Sequence, residues 1–205
     1  HGELKPILQL LSSGQISQAL QQLEPLARRY PEDPYVLGYL GRARLHAGDA
    51  QGAIQPLQRS LAKLPQDGEG HNNLGVALMQ TKRQQEAVMS LARAAVRLPR
   101  SPQVLRNLAG AYTYLERKTE ALQSWQQYLN FVPEDGEALC VVGGILLEKE
   151  KFREAAIALR KGSRLQKKDM VCLHDYADTL GRLGQAGEAL SILNRVVRQD
   201  PKDAH

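Results

Sequence analysis

The same residue types recur every 34 positions along almost the whole chain. Alanine forms one column, at Ala19, Ala53, Ala87, Ala121, Ala155 and Ala189. Proline forms another, at Pro31, Pro65, Pro99, Pro133 and Pro201, with Lys167 in the remaining slot. A Leu-Gly-like pair keeps the same phase, at Leu40-Gly41, Leu74-Gly75, Leu108-Ala109, Val142-Gly143 and Tyr176-Ala177. Three columns in register indicate an array of repeated units.

Each unit carries two stretches with helical periodicity. The first has apolar or small residues three and four positions apart, most clearly at Leu105, Leu108, Ala109 and Tyr112. The second has the column alanine, followed four residues later by a large apolar residue, which is Leu23, Leu57, Leu91, Trp125, Leu159 or Leu193. The proline near the end of a unit cannot continue a helix and so ends it. No long stretch alternates with period two, and we therefore predict an all-α fold.

These units resemble tetratricopeptide repeats, whose pattern W-x2-L-G-x2-Y, A-x3-F, P recurs every 34 residues. The sequence has L-x2-L-G, A-x3-L, P from Leu37 to Pro65 and H-x2-L-G-x2-L, A-x3-L, P from His71 to Pro99. A third unit reads L-x2-L-A-x2-Y, A-x3-W, P and ends at Pro133. The pattern is broken in the first unit, which lacks the Leu-Gly pair, at Arg44, which replaces an aromatic residue, and at Lys167.

The resemblance implies a right-handed superhelical solenoid of antiparallel helix pairs, with the first helices lining a concave groove. We expect one continuous array that forms part of a longer chain. Its repeats are expected at 1–33, which is partly degenerate, and at 34–67, 68–101, 102–135, 136–169 and 170–203. Each repeat contacts its neighbours and no central core forms. Such an array usually binds partners, so we expect no enzyme activity and no cofactor.

Two adjacent asparagines, Asn72 and Asn73, interrupt an otherwise good helix. Asn is unfavourable inside helices because its side chain competes for backbone groups. Since successive residues turn by about 100°, Asn73 is expected to face the groove with Asn72 beside it. Asn107 repeats this arrangement with Arg106 beside it. An Asn amide can both donate to and accept from a peptide backbone, as in the asparagine ladders of some tetratricopeptide superhelices. The alternative is a solvated helix face.

The predicted groove is aromatic and basic at one end and mostly acidic at the other, so a bound segment would have a preferred direction. The residues assigned to it are Tyr35, Tyr39, Arg42, Asn72, Asn73, Arg106, Asn107, Tyr114, Asp175 and Asp178. A clamp for a C-terminal carboxylate, which some family members have, is not predicted. The inward basic groups Arg42 and Arg182 are too far apart along the array to hold one carboxylate.

Other chemistry finds little support in the sequence. Two cysteines, Cys140 and Cys172, cannot form a disulfide framework, and they lack the spacing with His partners that a zinc site needs. Both are interpreted as reduced, with a single disulfide as the less favoured alternative. No histidine pairs with another His or a Cys at ligand spacing. A nucleophile and base could be imagined at Cys140, His174 and Asp178, but no third group orients them.

Charge favours an acidic partner only mildly, since the formal net charge is +5 and the pI is near 9.3. Arg160, Lys161 and Arg164 form a basic strip on a second helix, which Arg195 and Arg198 extend. The strip is expected to be a solvated convex face. If it binds a partner, the lack of aromatic residues for base stacking favours an acidic protein over nucleic acid. The longest nearly uncharged apolar run, Ala138–Leu147, has ten residues, too few for a membrane span.

The sequence therefore predicts a non-enzymatic protein–protein interaction scaffold that binds an extended peptide or partner segment in its concave groove. The alternative is a recognition arm of a larger bacterial enzyme, or of a polysaccharide-export or pilus-assembly machine. The compartment, cytoplasmic or periplasmic, stays open. The last helix presents Leu193, Val196 and Val197, and only four residues follow Pro201. We expect either a continuing chain, which is favoured, or self-association through this uncapped end.

Overall fold

In the computed structural model, which describes residues 2–199, every regular element is an α-helix. Pro201 and the four residues after it lie outside this range. Of Arg195 and Arg198, the structure describes the backbone but not the side chains. Twelve helices occur in the described range: α1 Leu4–Ser12, α2 Ile16–Arg29, α3 Pro34–His46, α4 Ala50–Lys63, α5 Gly68–Gln80, α6 Gln84–Arg97, α7 Pro102–Tyr114, α8 Lys118–Leu129, α9 Gly136–Glu148, α10 Phe152–Leu165, α11 Met170–Arg182 and α12 Ala186–Gln199.

The prediction of an all-α chain of repeated helix pairs is confirmed. The chain forms two compact units, residues 1–117 with α1–α7 and residues 118–205 with α8–α12. In the first unit, α3 packs on α4 and α5 on α6, and the first helices α3, α5 and α7 also touch in sequence order. In the second unit, α9 packs on α10 and α11 on α12, while α9 also contacts α11. The borders of the six repeats stay a prediction.

An acidic or hydroxyl side chain caps the start of each first helix from α3 onward. The caps recur every 34 residues, at Asp33, Asp67, Ser101, Asp135 and Asp169. Each accepts a hydrogen bond from a backbone N–H of the first turn, a group that has no partner within the helix. At Lys167, where the column proline is absent, α10 still ends at Leu165.

The glycine of the Leu-Gly pair allows the two helices of a hairpin to approach closely. A Cβ added to Gly75 would lie 2.5 Å from Leu91 Cγ, and one added to Gly143 would lie 2.3 Å from Leu159 Cγ. Gly41 stands in the same relation to Leu57, at 2.5 Å. Because these leucines are almost completely buried, the glycine and the large residue form one interlocking contact.

Arg44, which replaces an aromatic residue of the family pattern, is held by polar contacts. Its Nη2 donates to Glu24 Oε1 at 2.6 Å, and its Nη1 donates to the carbonyl oxygen of Gly52 at 3.0 Å. The side chain therefore joins α2, α3 and the start of α4 within the first unit.

The interpretation of both cysteines as reduced is wrong. Cys140 on α9 and Cys172 on α11 form a disulfide, with Cα atoms 5.3 Å apart. The two first helices lie side by side, which brings residues 32 positions apart in sequence within bonding distance. Gly162 of α10 leaves room for the bond, since a Cβ there would lie 2.7 Å from Cys140 Sγ. Cys140 is thus not available as a nucleophile.

A comparison of Gly75→Ala with Gly110→Ala should separate the effect of close packing on stability from the effect of helix propensity. Both substitutions gain the same propensity, about 1 kcal/mol. Only Gly75 faces Leu91, whereas nothing lies within 4 Å of a Cβ added to Gly110. Overpacking should therefore leave Gly75→Ala about 1–3 kcal/mol less stable than Gly110→Ala in urea unfolding followed by circular dichroism. Equal stability of the two variants would contradict the interlocking contact.

Reduction of the Cys140–Cys172 bond should lower the free energy of unfolding. Loop-closure entropy for a cross-link of this span is about 3–4 kcal/mol. Urea unfolding with and without dithiothreitol measures the difference, and the Cys140→Ser/Cys172→Ser variant should not respond to the reductant. Thiol titration of the unreduced, denatured protein should find no free thiol. Two free thiols would show that the bond is not formed.

Candidate functional site

A cavity of about 610 Å³ lies on the first-helix side of the first unit. Four of the predicted groove residues line it: Tyr35, Tyr39 and Arg42 from α3, and Asn73 from α5. The three α3 residues are spaced four and three positions apart, so they share one face of that helix. The structure thus brings together, in one concavity, residues that the sequence assigned to two successive repeats.

The α3 side of this cavity combines aromatic surface with one cation. Tyr35 is exposed, and the guanidinium of Arg42 lies over the ring of Tyr39 at 5.2 Å from its centroid. This contact orients the guanidinium while leaving its N–H groups available. Arg42 forms no ion pair with any residue that the structure describes. On the opposite side, Glu69 of α5 supplies a carboxylate.

The two asparagines of α5 have different surroundings. Asn72, expected at the groove edge, is only 6% exposed. Its Oδ1 accepts a hydrogen bond from Asn107 Nδ2 at 2.8 Å, and Asn107 Oδ1 accepts one from Gln103 Nε2 at 3.0 Å. Asn72 therefore links α5 to α7. Asn107 keeps one N–H and one lone pair for a ligand, and half-buried Asn73 makes no side-chain hydrogen bond within the described range.

The remaining predicted groove residues do not line this cavity. Arg106 and Tyr114 are exposed on α7. Asp175 and Asp178 belong to α11, in the second unit. Burial raises the pKa of the Asp175 carboxyl, and the neighbouring carboxylates, Asp178 among them, act in the same direction.

Each of these two aspartates has a close neighbour, which is Gly144 for Asp175 and Arg182 for Asp178. A Cβ added to Gly144 would lie 3.0 Å from Asp175 Oδ2, so this glycine makes room for the aspartate. Asp178 pairs with Arg182 at 3.4 Å. The two aspartates are three positions apart and so share one face of α11. Their place in the groove stays a prediction.

Two other predicted surfaces are present in the second unit. The apolar face of α12 exposes Leu193 and Val197, so self-association through this end stays a prediction. In the basic strip, Lys161 Nζ donates to the carbonyl oxygen of Pro133 at 2.7 Å. This hydrogen bond fixes the position of one of the three cations of the strip.

The described residues contain neither a cluster of metal ligands nor a helix suited to span a membrane. Within residues 2–199, no three His, Cys, Asp or Glu side chains group as metal ligands would. None of the helices in this range combines the length and the apolar character that crossing a membrane requires.

Comparisons with known proteins agree with this architecture. The tetratricopeptide repeat family model matches residues 8–68 and 57–104. YrrB, described as a TPR protein with an unusual peptide-binding site, is 14% identical with a TM-score of 0.79, covering 88% of this chain and 93% of its own. MamA from Desulfovibrio magneticus RS-1 is 15% identical with a TM-score of 0.70, covering 84% and 97%. PilF of Pseudomonas aeruginosa is 17% identical with a TM-score of 0.72, covering 98% and 91%.

Residues 8–104 match the tetratricopeptide-repeat family model, and the chain shares the fold of solved tetratricopeptide-repeat proteins. Among the curated proteins, none matches it by sequence. At identities of 14–17%, the structural likeness establishes the fold. Proteins built from such repeats are typically interaction scaffolds, which present extended surfaces to protein partners.

The Asn72–Asn107 hydrogen bond should contribute to stability, because Asn107→Ala leaves a buried oxygen without a donor. The expected cost is about 1–3 kcal/mol in urea unfolding. Asn73→Ala is the matched control, and with no side-chain hydrogen bond to lose it should change stability by less than about 0.5 kcal/mol. A double-mutant cycle with Asn72→Ala isolates the pair. Equal effects of Asn107→Ala and Asn73→Ala would contradict a structural role for the bond.

Proposed function

We propose that this chain is a non-enzymatic interaction module that holds an extended partner segment on the first helices of residues 1–117. The observation that carries the proposal is the cavity shared by Tyr35, Tyr39, Arg42 and Asn73. Its volume of about 610 Å³ falls in the range of ligand pockets, which is about 300–1,000 Å³.

The cavity chemistry suits one side chain and its flanking peptide bonds. Aromatic faces favour an apolar or aromatic side chain, and Arg42 can pair with a carboxylate beside it. Asn73 and the remaining donor and acceptor of Asn107 can pair with backbone amides, which every peptide offers. Such a site selects weakly by sequence and strongly by extended conformation.

The peptide-binding site named in the description of YrrB supports this proposal, since the two chains share the fold. Arg106 and Tyr114 would meet the same segment further along α7. In the second unit, Asp175 and Asp178 would contact basic residues of a partner. These roles belong to the proposal, as does the concave face as the binding face.

The second candidate is a recognition arm of a larger bacterial enzyme or of an export or pilus-assembly machine. The disulfide is consistent with the periplasmic machines of this class, because such bonds persist in oxidising compartments. Both candidates use the same groove and differ in whether chemistry takes place elsewhere in an assembly.

Selection of phage-displayed random dodecapeptides on the purified chain tests the groove. Tyr39→Ala should weaken the selected peptides by about 30-fold, since truncation of a central aromatic anchor typically costs about 2 kcal/mol or more. Arg42→Gln should weaken those peptides that carry a carboxylate. Arg100→Gln, an exposed arginine outside the cavity, is the control. No enrichment, or full affinity for Tyr39→Ala, would refute groove binding.

A further inference from the structure

A larger cavity, about 840 Å³, lies between the second helices α4 and α6 of the first unit. Leu61 of α4 and Leu74 and Leu78 of α5 contribute apolar surface, and α6 forms the other wall. This surface belongs to the second-helix side, which the proposed peptide groove does not use. Only the connecting residues Pro65 and Gln66 border both cavities.

A histidine lies in this cavity where the other repeats have leucine. His71 occupies the column of Leu37, Leu105, Leu139 and Leu173, all of which are buried. It is 5% exposed, and its Nε2 donates to the carbonyl oxygen of Pro65 at 3.1 Å. Nδ1 has no hydrogen-bond partner. A buried polar atom without a partner is unfavourable, so His71 departs from the packing that the array uses elsewhere.

The α6 wall exposes two large apolar side chains on the same face. Met89 is 61% exposed and Val96 is 71% exposed, and their spacing of seven residues places them two turns apart on one side of the helix. Single exposed apolar residues are common on protein surfaces. Here both border a cavity that is itself lined by leucines, which gives a continuous apolar surface.

Two arginines make this wall positive. Arg93 and Arg97, one turn apart, both line the cavity and are exposed. Neither forms an ion pair with a residue in the described range. The acidic residue in the lining, Glu86, is already paired with Arg83 at 2.6 Å. The wall therefore offers two unneutralised cations beside apolar surface, which complements an acidic partner.

The apolar lining of the cavity favours a helical partner. An amphipathic helix pairs its own backbone groups and offers apolar anchors three and four residues apart. This spacing suits a leucine-lined cavity whose exposed apolar side chains, Met89 and Val96, lie two helical turns apart.

We infer that the cavity between α4 and α6 is a second docking surface, which takes an acidic amphipathic helix of a partner protein. Its apolar side chains fill the leucine-lined cavity and contact Met89 and Val96. Its flanking carboxylates pair with Arg93 and Arg97. The chain would thus hold two partners, or two segments of one partner, on opposite sides of the same helix pairs.

A designed probe tests this surface: a fluorescein-labelled 18-residue helical peptide with leucines on one face and glutamates on its flanks. Fluorescence anisotropy with the full chain should show saturable binding that weakens as salt rises. A scrambled peptide of the same composition should bind much more weakly. Arg93→Glu/Arg97→Glu should weaken the designed probe by at least about tenfold, because two attractive contacts become repulsive. Val96→Ser should weaken it several-fold.

Matched controls make the result specific. Arg28→Glu/Arg100→Glu changes the net charge equally at exposed arginines outside the cavity and should leave affinity unchanged. Tyr39→Ala, which tests the peptide groove, should also leave it unchanged. The inference is overturned by absence of binding, by equal binding of the scrambled peptide, or by full affinity of the Arg93→Glu/Arg97→Glu variant. Equally tight binding of a DNA duplex at the same arginines would also overturn it.

Discussion

The close contact between a small residue on a first helix and a leucine on the following helix determines the rest of this architecture. Gly75 against Leu91 and Gly143 against Leu159 leave no space for an added Cβ. Each such contact fixes the distance between the two helices of a hairpin, and the caps at Asp67 and similar positions fix where the helices begin. Repetition of one local geometry then produces an array. Such an array needs no large aromatic core, which a sequence with a single Trp could not supply.

The fold was predictable because the residues of each column make the same local packing contact in every repeat. The helix pairs, their glycine contacts and the helix ends follow from the spacing of Ala, Pro and the Leu-Gly pair. Contacts between successive first helices were not predictable in the same way. Cys140 and Cys172 are 32 residues apart and Asn72 and Asn107 are 35 apart, so these partners occupy different columns. Cysteine or asparagine pairs whose separation is slightly less or more than one repeat would have indicated these contacts.

Which side chains share a cavity was predictable in part. Tyr35, Tyr39, Arg42 and Asn73 do line one cavity, since helical spacing alone decides which residues share a face. Asn72 departs from its expected position because a polar side chain beside the groove can turn toward the next helix, where Asn107 offers a donor. The cavity beside His71 was not predictable, because the other residues of its column are buried leucines that pack between helices. A column shows that a site is buried, but it does not show that the packing there is complete.

The bond between Cys140 and Cys172 has a mechanical consequence. In a linear array, adjacent hairpins are joined by a short connection and by non-covalent contacts, so tension on the chain separates hairpins one junction at a time. The disulfide joins α9 directly to α11, and the hairpin of α9 and α10 cannot be pulled away from α11 until that covalent bond breaks. In an oxidising setting, this junction of the second unit would withstand pulling forces that open unbridged ones.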